Sequence, residues 1–346
     1  MMDLTEPQIS ALVALQKGLP LVSRPFKAIG EECGLSEEEI ITLIKKGVAS
    51  EDIRRLGGIF DARRIGFCSS LCYMDVPEKD LDRIAGIVTR VPGVTHAYTR
   101  GWPAELPKDA VGGPGKNHWP YFWFTLATDS SIFKESLEKL RSDCAPYKIQ
   151  AMPAYRRFKI DVVFDLRTRE RDEKVEFRPG LPVIDDAQIP VTPLSDRDRA
   201  IIALFQGHIE PCQNFFAEPA RRVGITEEEL LETLRKWEEV GVMRRLGILV
   251  FHRNMGFMAN GMCCWNVPRE EVLEKGRILS SSPDVTHCYE RPYTEAFPFR
   301  LYAMIHRDSW EDAQACFLRL SKLAGLEKGQ LLLSTREFKK TSMKFF

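Results

Sequence analysis

Residues 94–100, Val-Thr-His-Ala-Tyr-Thr-Arg, recur as residues 285–291, Val-Thr-His-Cys-Tyr-Glu-Arg, with five of the seven positions identical. A chain that carries one segment twice is constrained to hold one module in two copies. The repeat reaches well beyond that segment. Arg54-Arg55-Leu56-Gly57 matches Arg244-Arg245-Leu246-Gly247, and Arg63-Arg64-Ile65-Gly66-Phe67 matches Arg253-Asn254-Met255-Gly256-Phe257, both at an offset of 190. Val76-Pro77 and Val267-Pro268 follow at 191, and Arg156-Arg157-Phe158-Lys159 matches Arg336-Glu337-Phe338-Lys339 at 180. The offset falls because the first half carries an insertion from about Gly101 to Asn117, whose Gly112-Gly113-Pro114-Gly115 marks an irregular loop. Between the halves, residues 167–193 have a linker composition, with Arg178-Pro179-Gly180-Leu181-Pro182 and Ile189-Pro190-Val191-Thr192-Pro193.

Each half opens with helix-start signals. Thr5-x-x-Gln8 and Ser36-x-x-Glu39 in the first half, and Ser195-x-x-Asp198 and Thr226-x-x-Glu229 in the second, have the form of capping boxes. Cys33-Gly34-Leu35-Ser36 and Val223-Gly224-Ile225-Thr226 set a glycine turn before a helix with apolar residues at helical spacing, a helix-turn-helix outline. The period then changes to strand (67–76), helix (Leu81, Ile84, Val88), strand (94–100), strand (121–128), helix (Phe133, Leu137, Leu140) and an extended segment over 147–160. The second half predicts strands near 256–267, 284–291, 299–306 and 330–340. That order is βαββαβ, the ferredoxin-like plan. The fold class expected is α+β, a tandem repeat of a winged or plain helix-turn-helix domain followed by a ferredoxin-like domain. The expected units are 1–56 and 57–166, a linker over 167–193, then 194–246 and 247–346.

Lys and Arg total 49 against 49 Asp and Glu, so the whole chain offers no general attraction to nucleic acid or an anionic membrane, and any anion site must be local. No apolar run approaches the roughly 18 residues of a membrane span, and the N-terminus lacks the basic start of a signal peptide. A cytoplasmic protein is expected. The nine cysteines form no Cys-x-x-Cys pair, so they read as small reduced core residues with no zinc or iron–sulfur signature. No glycine-rich phosphate loop, serine triad or carboxylate metal site can be made out.

If the repeated segment is a strand, alternate side chains share a face, so His96, Tyr98 and Arg100 line up, as do His287, Tyr289 and Arg291. Such a row could bind an anion and move a proton, and each half is expected to furnish its own cationic pocket.

A helix-turn-helix followed by a ferredoxin-like domain resembles the leucine-responsive and asparagine-pathway transcription regulators. The chain departs from them where a recognition helix would start, at Ser36-Glu37-Glu38-Glu39 and Thr226-Glu227-Glu228-Glu229, because carboxylates there repel phosphates. DNA binding is therefore not expected. The Arg-Arg-x-Gly segment, the Arg-x-x-Gly-Phe segment, Pro92-Gly93-Val94-Thr95-His96-x-Tyr98-x-Arg100 and Trp123-Phe124-Thr125-Leu126 together resemble the siroheme decarboxylases, which usually act as pairs of similar subunits. Here both subunits look fused into an intramolecular pseudo-dimer, with further association left open. The second half departs at Leu301-Tyr302-Ala303-Met304, so the halves are not expected to be equivalent.

The resemblance implies removal of carbon dioxide from two acetate side chains of siroheme, with no cofactor beyond the substrate and its iron. Its many carboxylates call for guanidinium partners. Arg54, Arg55, Arg63, Arg64, Arg244, Arg245 and Arg253 are the substrate-binding candidates, with His118 and Trp119 as a cover. The catalytic candidates are His96, Tyr98, Arg100, His287, Tyr289 and Arg291. Either histidine could give the proton the new methyl group needs or ligate the substrate's iron, and the two roles stay open at this point. A ligand-sensing transcription regulator and a heme-binding protein without turnover are the rival readings.

Overall fold

A computed structural model describes residues 4–102, 121–160, 163–164, 183–251 and 256–346. Three helices, α1 (Glu6–Lys17), α2 (Pro25–Cys33) and α3 (Glu37–Ala49), lead into β1 (Ile53–Phe60). There follow β2 (Phe67–Met74), α4 (Glu78–Arg90), β3 (Val94–Gly101), β4 (Tyr121–Asp129), α5 (Phe133–Asp143), and a last strand broken into β5 (Gln150–Met152) and β6 (Arg156–Ile160). After the short β7 (Ile184–Asp185) the plan repeats. It runs through α6 (Asp196–Phe205), α7 (Ala217–Arg222), α8 (Glu227–Glu239), β8 (Met243–Val250), β9 (Ala259–Trp265) and α9 (Val272–Ser281), then β10 (Val285–Glu290), β11 (Leu301–Arg307), α10 (Trp310–Ala324) and β12 (Gly329–Lys340).

The helix starts obey their local signals. The Ser36 amide donates to Glu39 Oε2 at 2.7 Å and the Glu39 amide donates back to Ser36 Oγ at 3.3 Å. The same reciprocal pair joins Thr226 to Glu229 and Ser195 to Asp198, while the Thr5 amide donates to Gln8 Oε1. These bonds satisfy amides that a helix cannot pair internally. Gly34 and Gly224, at φ of 74° and 72°, make the left-handed turns that a side chain would strain.

The two helical units share one apolar core, with Leu12, Phe26 and Ile44 from the first and Phe205, Phe216 and Leu234 from the second. Beneath it β1 and β8 form an antiparallel ribbon in which Gly57 stands opposite Gly247. A Cβ on Gly57 would lie 2.3 Å from the Gly207 carbonyl oxygen, and one on Gly247 would lie 2.4 Å from that of Leu15. The repeated Arg-Arg-Leu-Gly is thus a crossing where each half's helical unit presses backbone against the other half's strand. The limits drawn after residues 56 and 246 fall inside these two strands.

The large sheet has the order β5-β2-β4-β3-β12-β9-β11-β10-β6-β7. Each half keeps the ferredoxin-like order, β5-β2-β4-β3 and β12-β9-β11-β10, and its final strand then crosses to the other half. From Gly329 to Leu333 β12 pairs with β9, and from Leu333 to Lys340 it pairs with β3. In the same way β6 pairs with β10, reached from β5 across Pro153. The strands therefore follow one another round a loop whose two layers face each other. Tyr73 and Trp123 of one layer pack against Phe297 and Tyr302 of the other at one end of the space between. Helices α4 and α5 cover one outer face and α9 and α10 the other. Six cysteines are buried in these cores. Among the described residues, no helix is long and apolar enough to cross a membrane.

Part of the segment read as linker is structural. Beyond β7, Asp186 is buried and takes ion pairs from both Arg63 and Arg157.

Candidate active site

Strand exchange brings the two repeated rows to one place. His96, Tyr98 and Arg100 of β3, together with His287, Tyr289 and Arg291 at the end of β10, line a single cavity of about 800 Å³ between the layers. The expectation of a separate pocket in each half is thereby corrected. Each half's second strand meets the other half's last strand, so the inner faces that carry the rows turn toward a common space.

The rows have nearly the same geometry. The His96 and Tyr98 rings are 6.2 Å apart and those of His287 and Tyr289 6.1 Å. The Arg100 guanidinium lies 5.5 Å from the Tyr98 ring centre, and that of Arg291 lies 4.9 Å from the Tyr289 ring centre. Each histidine Nδ1 is engaged by the preceding threonine hydroxyl, at 3.0 Å for Thr95 and 3.1 Å for Thr286, which leaves Nε2 as the nitrogen for the cavity. Burial, with Arg54, Lys340 and Arg100 nearby, pushes the His96 imidazole down to about 4. Burial, with Arg244, His96, Arg291 and Arg245, does the same to His287. Both rings are therefore neutral at pH 7, and an anion brought beside them would favour their charged form.

The charged side chains in the walls are all cationic among the described residues. Lys17, Arg54, Arg55, Arg100, Arg244, Arg245, Arg291 and Lys340 line the cavity, and no Asp or Glu does among the described residues. Burial lowers Arg54, Arg100 and Arg291, and burial with Arg54 alongside lowers Arg55 to about 10. Arg100 Nη1 and Arg291 Nε are buried without a hydrogen-bond partner. Crowded, partly desolvated guanidiniums are costly unless an anion joins them, so this space is built for a polyanion.

Not every arginine singled out in the sequence reaches it. Arg63 pairs with Asp186 at 2.8 Å and lies outside the cavity lining, as does Arg64, which sits against Gly241 in the turn before β8. Arg244 lines the cavity but also donates to Asp61 at 2.9 Å, and Asp61 takes a second bond, at 2.6 Å, from Arg157. Arg253, His118 and Trp119 lie outside the described residues.

Several lining residues were missed. Trp123 and Tyr302 are the cross-strand partners of Tyr98 and Tyr289, so the departure at Tyr302 is a replaced cavity wall. His306 lines the second half where the register places Ala127 in the first. Gln16 and Gln206, 190 residues apart, each clamp the backbone of a phenylalanine that follows its half's last strand. Gln16 donates to the Phe164 carbonyl and accepts from its amide, both at 2.9 Å, and Gln206 does the same with Phe345 at 2.7 and 2.6 Å. Both glutamines and both phenylalanines line the cavity. Paired glutamines at the repeat offset were the signal available.

Residues 10–54 and 198–244 match the siroheme decarboxylase NirDL-like HTH domain, and residues 64–159 and 254–339 match the AsnC-like ligand binding domain. A siroheme decarboxylase of Hydrogenobacter thermophilus is 33% identical over 97% of this chain and 93% of its own length. The siroheme decarboxylase beta subunit of Methanosarcina barkeri is 37% identical over 42% of this chain but 97% of its own length, the size of one half. A crystal structure of the siroheme decarboxylase NirDL superposes with a TM-score of 0.70 at 28% identity, covering 99% of this chain and 94% of that one. A second NirDL structure, in co-complex with an iron-uroporphyrin III analogue, superposes with a TM-score of 0.68. With the repeat, the fold and the length all matched, the chain belongs to the siroheme decarboxylase family.

Proposed function

We propose that this chain is a cytoplasmic enzyme that removes carbon dioxide from two acetate side chains of siroheme, giving 12,18-didecarboxysiroheme for heme d1 or alternative heme biosynthesis. The observation that carries the reading is the inter-layer cavity, apolar and aromatic over much of its wall, studded with eight Lys and Arg side chains and flanked by both His-x-Tyr-x-Arg rows. Its volume of about 800 Å³ suits one large ligand. Against a reader of duplex DNA, α3 and α8 begin with three carboxylates each, where phosphates would have to approach.

In each decarboxylation the bond between the acetate methylene and its carboxylate breaks and carbon dioxide leaves. The electron pair passes into the conjugated macrocycle, and a proton added at the methylene carbon completes a methyl group. No electron is gained or lost, so the substrate needs only a conjugated sink and an acid. Arg54, Arg55, Arg244 and Arg245 hold peripheral carboxylates, with Arg100 and Arg291 beside the reacting groups. The histidine and tyrosine of the rows carry the proton, and the iron arrives with the substrate. The test is anaerobic incubation of the purified chain with siroheme, followed by mass spectrometry. The expected product is lighter by two carbon dioxide units, and unchanged siroheme overturns the reading.

A further inference from the structure

The two rows look alike, but the hydroxyls behind their histidines are not in the same position. In both halves the threonine sits at a register shift, between Val94 and His96 and between Val285 and His287, the kind of irregularity that leaves backbone groups to be satisfied by other means. The Thr286 hydroxyl has three neighbours. It lies 3.1 Å from the Met304 carbonyl oxygen, 3.1 Å from His287 Nδ1 and 3.3 Å from Nδ1 of His306. A hydroxyl has one proton to give and two lone pairs to receive. A carbonyl oxygen can only accept, whereas an imidazole nitrogen can supply its own proton by choosing its tautomer. All three bonds are made at once only if the Thr286 O–H donates to Met304 and both Nδ1–H groups donate to Thr286 Oγ1. That arrangement writes His287 as the Nδ1–H tautomer, with a bare lone pair on Nε2.

The first half has no such arrangement. Thr95 Oγ1 is 3.0 Å from His96 Nδ1, and Ala127 occupies the place of His306. The Thr95 hydroxyl is free to donate to Nδ1 or to accept from it. His96 can therefore carry its proton on Nε2 while neutral, and can hold two protons when an anion charges it.

We propose that Thr286, held by Met304 and His306, is a positioning residue that fixes His287 as a lone-pair donor to the iron of the bound macrocycle and leaves His96 as the proton-giving histidine. This rests on the siroheme reading above for its ligand, but the tautomer assignment belongs to the free protein. The duplicated rows would then have divided two tasks that each could have performed, which a single cavity serving one macrocycle permits.

The experiment takes the whole chain labelled with ¹⁵N-histidine and records long-range ¹H–¹⁵N spectra near neutral pH, with the His96 and His287 signals identified in His96→Gln and His287→Gln proteins. The expected result is an unprotonated Nε2 on His287, no such restriction on His96, whose Nε2 is protonated in at least part of the population, and mixed His287 tautomers in Thr286→Val but not in Thr286→Ser. A protonated Nε2 on His287, or a Thr286→Val spectrum unchanged from the parent, overturns the assignment. Siroheme is then added anaerobically and its axial ligation read by resonance Raman. His287→Ala should lose the imidazole-ligand signature. His96→Ala should keep it while product formation falls by about 10²-fold or more. Ligation that survives in His287→Ala overturns the iron role. Siroheme that fails to bind, with the tautomers as expected, overturns the proposed function and the iron role but not the tautomer assignment.

Discussion

Asp61→Asn tests how the basic cavity is held together. The Asp61 side chain is 7% exposed and its Oδ2 accepts from Arg157 of its own half at 2.6 Å and Arg244 of the other at 2.9 Å. Its Oδ1 accepts from the Arg63 amide at 3.1 Å. Burial alone would raise this carboxyl, yet Arg244 and Arg157 outweigh it and hold it below the ordinary range. Asparagine keeps the shape and one oxygen but removes the charge, leaving Arg157 with Asp186 and Arg244 facing a neutral amide. Breaking a buried pair of this kind costs about 3–5 kcal/mol. At about 2 °C per kcal/mol for a chain of this size, the midpoint should fall by roughly 6–10 °C. The sign with pH follows from the depressed pKa. The folded-state gain is present above the ordinary carboxyl range near pH 4 and is lost as pH falls through the lower folded-state value. Thermal unfolding of both proteins at pH 7 and at stepwise lower pH should therefore show a gap that closes in acid. A gap under about 1 kcal/mol, the size of a surface ion pair, or a pH-independent one, would refute the reasoning.

Gly247→Ala should destabilise by about 1–3 kcal/mol, because the new Cβ meets the Leu15 carbonyl at 2.4 Å and backbone must move. Gly86→Ala in α4, where nothing lies within 4 Å, should instead stabilise by about 0.5–1 kcal/mol, and urea midpoints should move in opposite directions. Because His96 starts neutral, with its imidazole near 4, anionic siroheme should raise that value and draw in a proton. Calorimetry in buffers of different ionisation enthalpy should report net uptake at pH 7, and net release would contradict the site. In the free protein the same depressed histidines remove stability as pH falls from about 6.5 toward 4, where only the unfolded chain takes up protons.

Much of the fold was legible because its signals are local. Four capping boxes, two glycine turns and the change from helical to alternating period place the helical units and the strands of the large sheet, though not the β1–β8 ribbon, and the 190-residue offset shows that the plan occurs twice. The rows were legible too, since Tyr98 and Arg100 must share the face of His96 on any strand. The meeting of the rows was not, because it depends on β12 leaving β9 for β3 at Leu333, a pairing between residues more than 200 positions apart with no local mark. For the same reason Arg63 looked like a ligand residue. Its partner Asp186 stands in a segment whose proline content reads as linker, and only the fold brings the two together.

Exchange of the final strands has an evolutionary consequence. Two copies that complete each other's ladders are tied in backbone register where β12 meets β3 and β6 meets β10, whereas the side chains on the inner faces are not held by that pairing. Specialisation is thereby steered to places such as Ala127 against His306, or Trp123 against Tyr302. Two halves that share one strand plan can in this way line a cavity whose two sides differ.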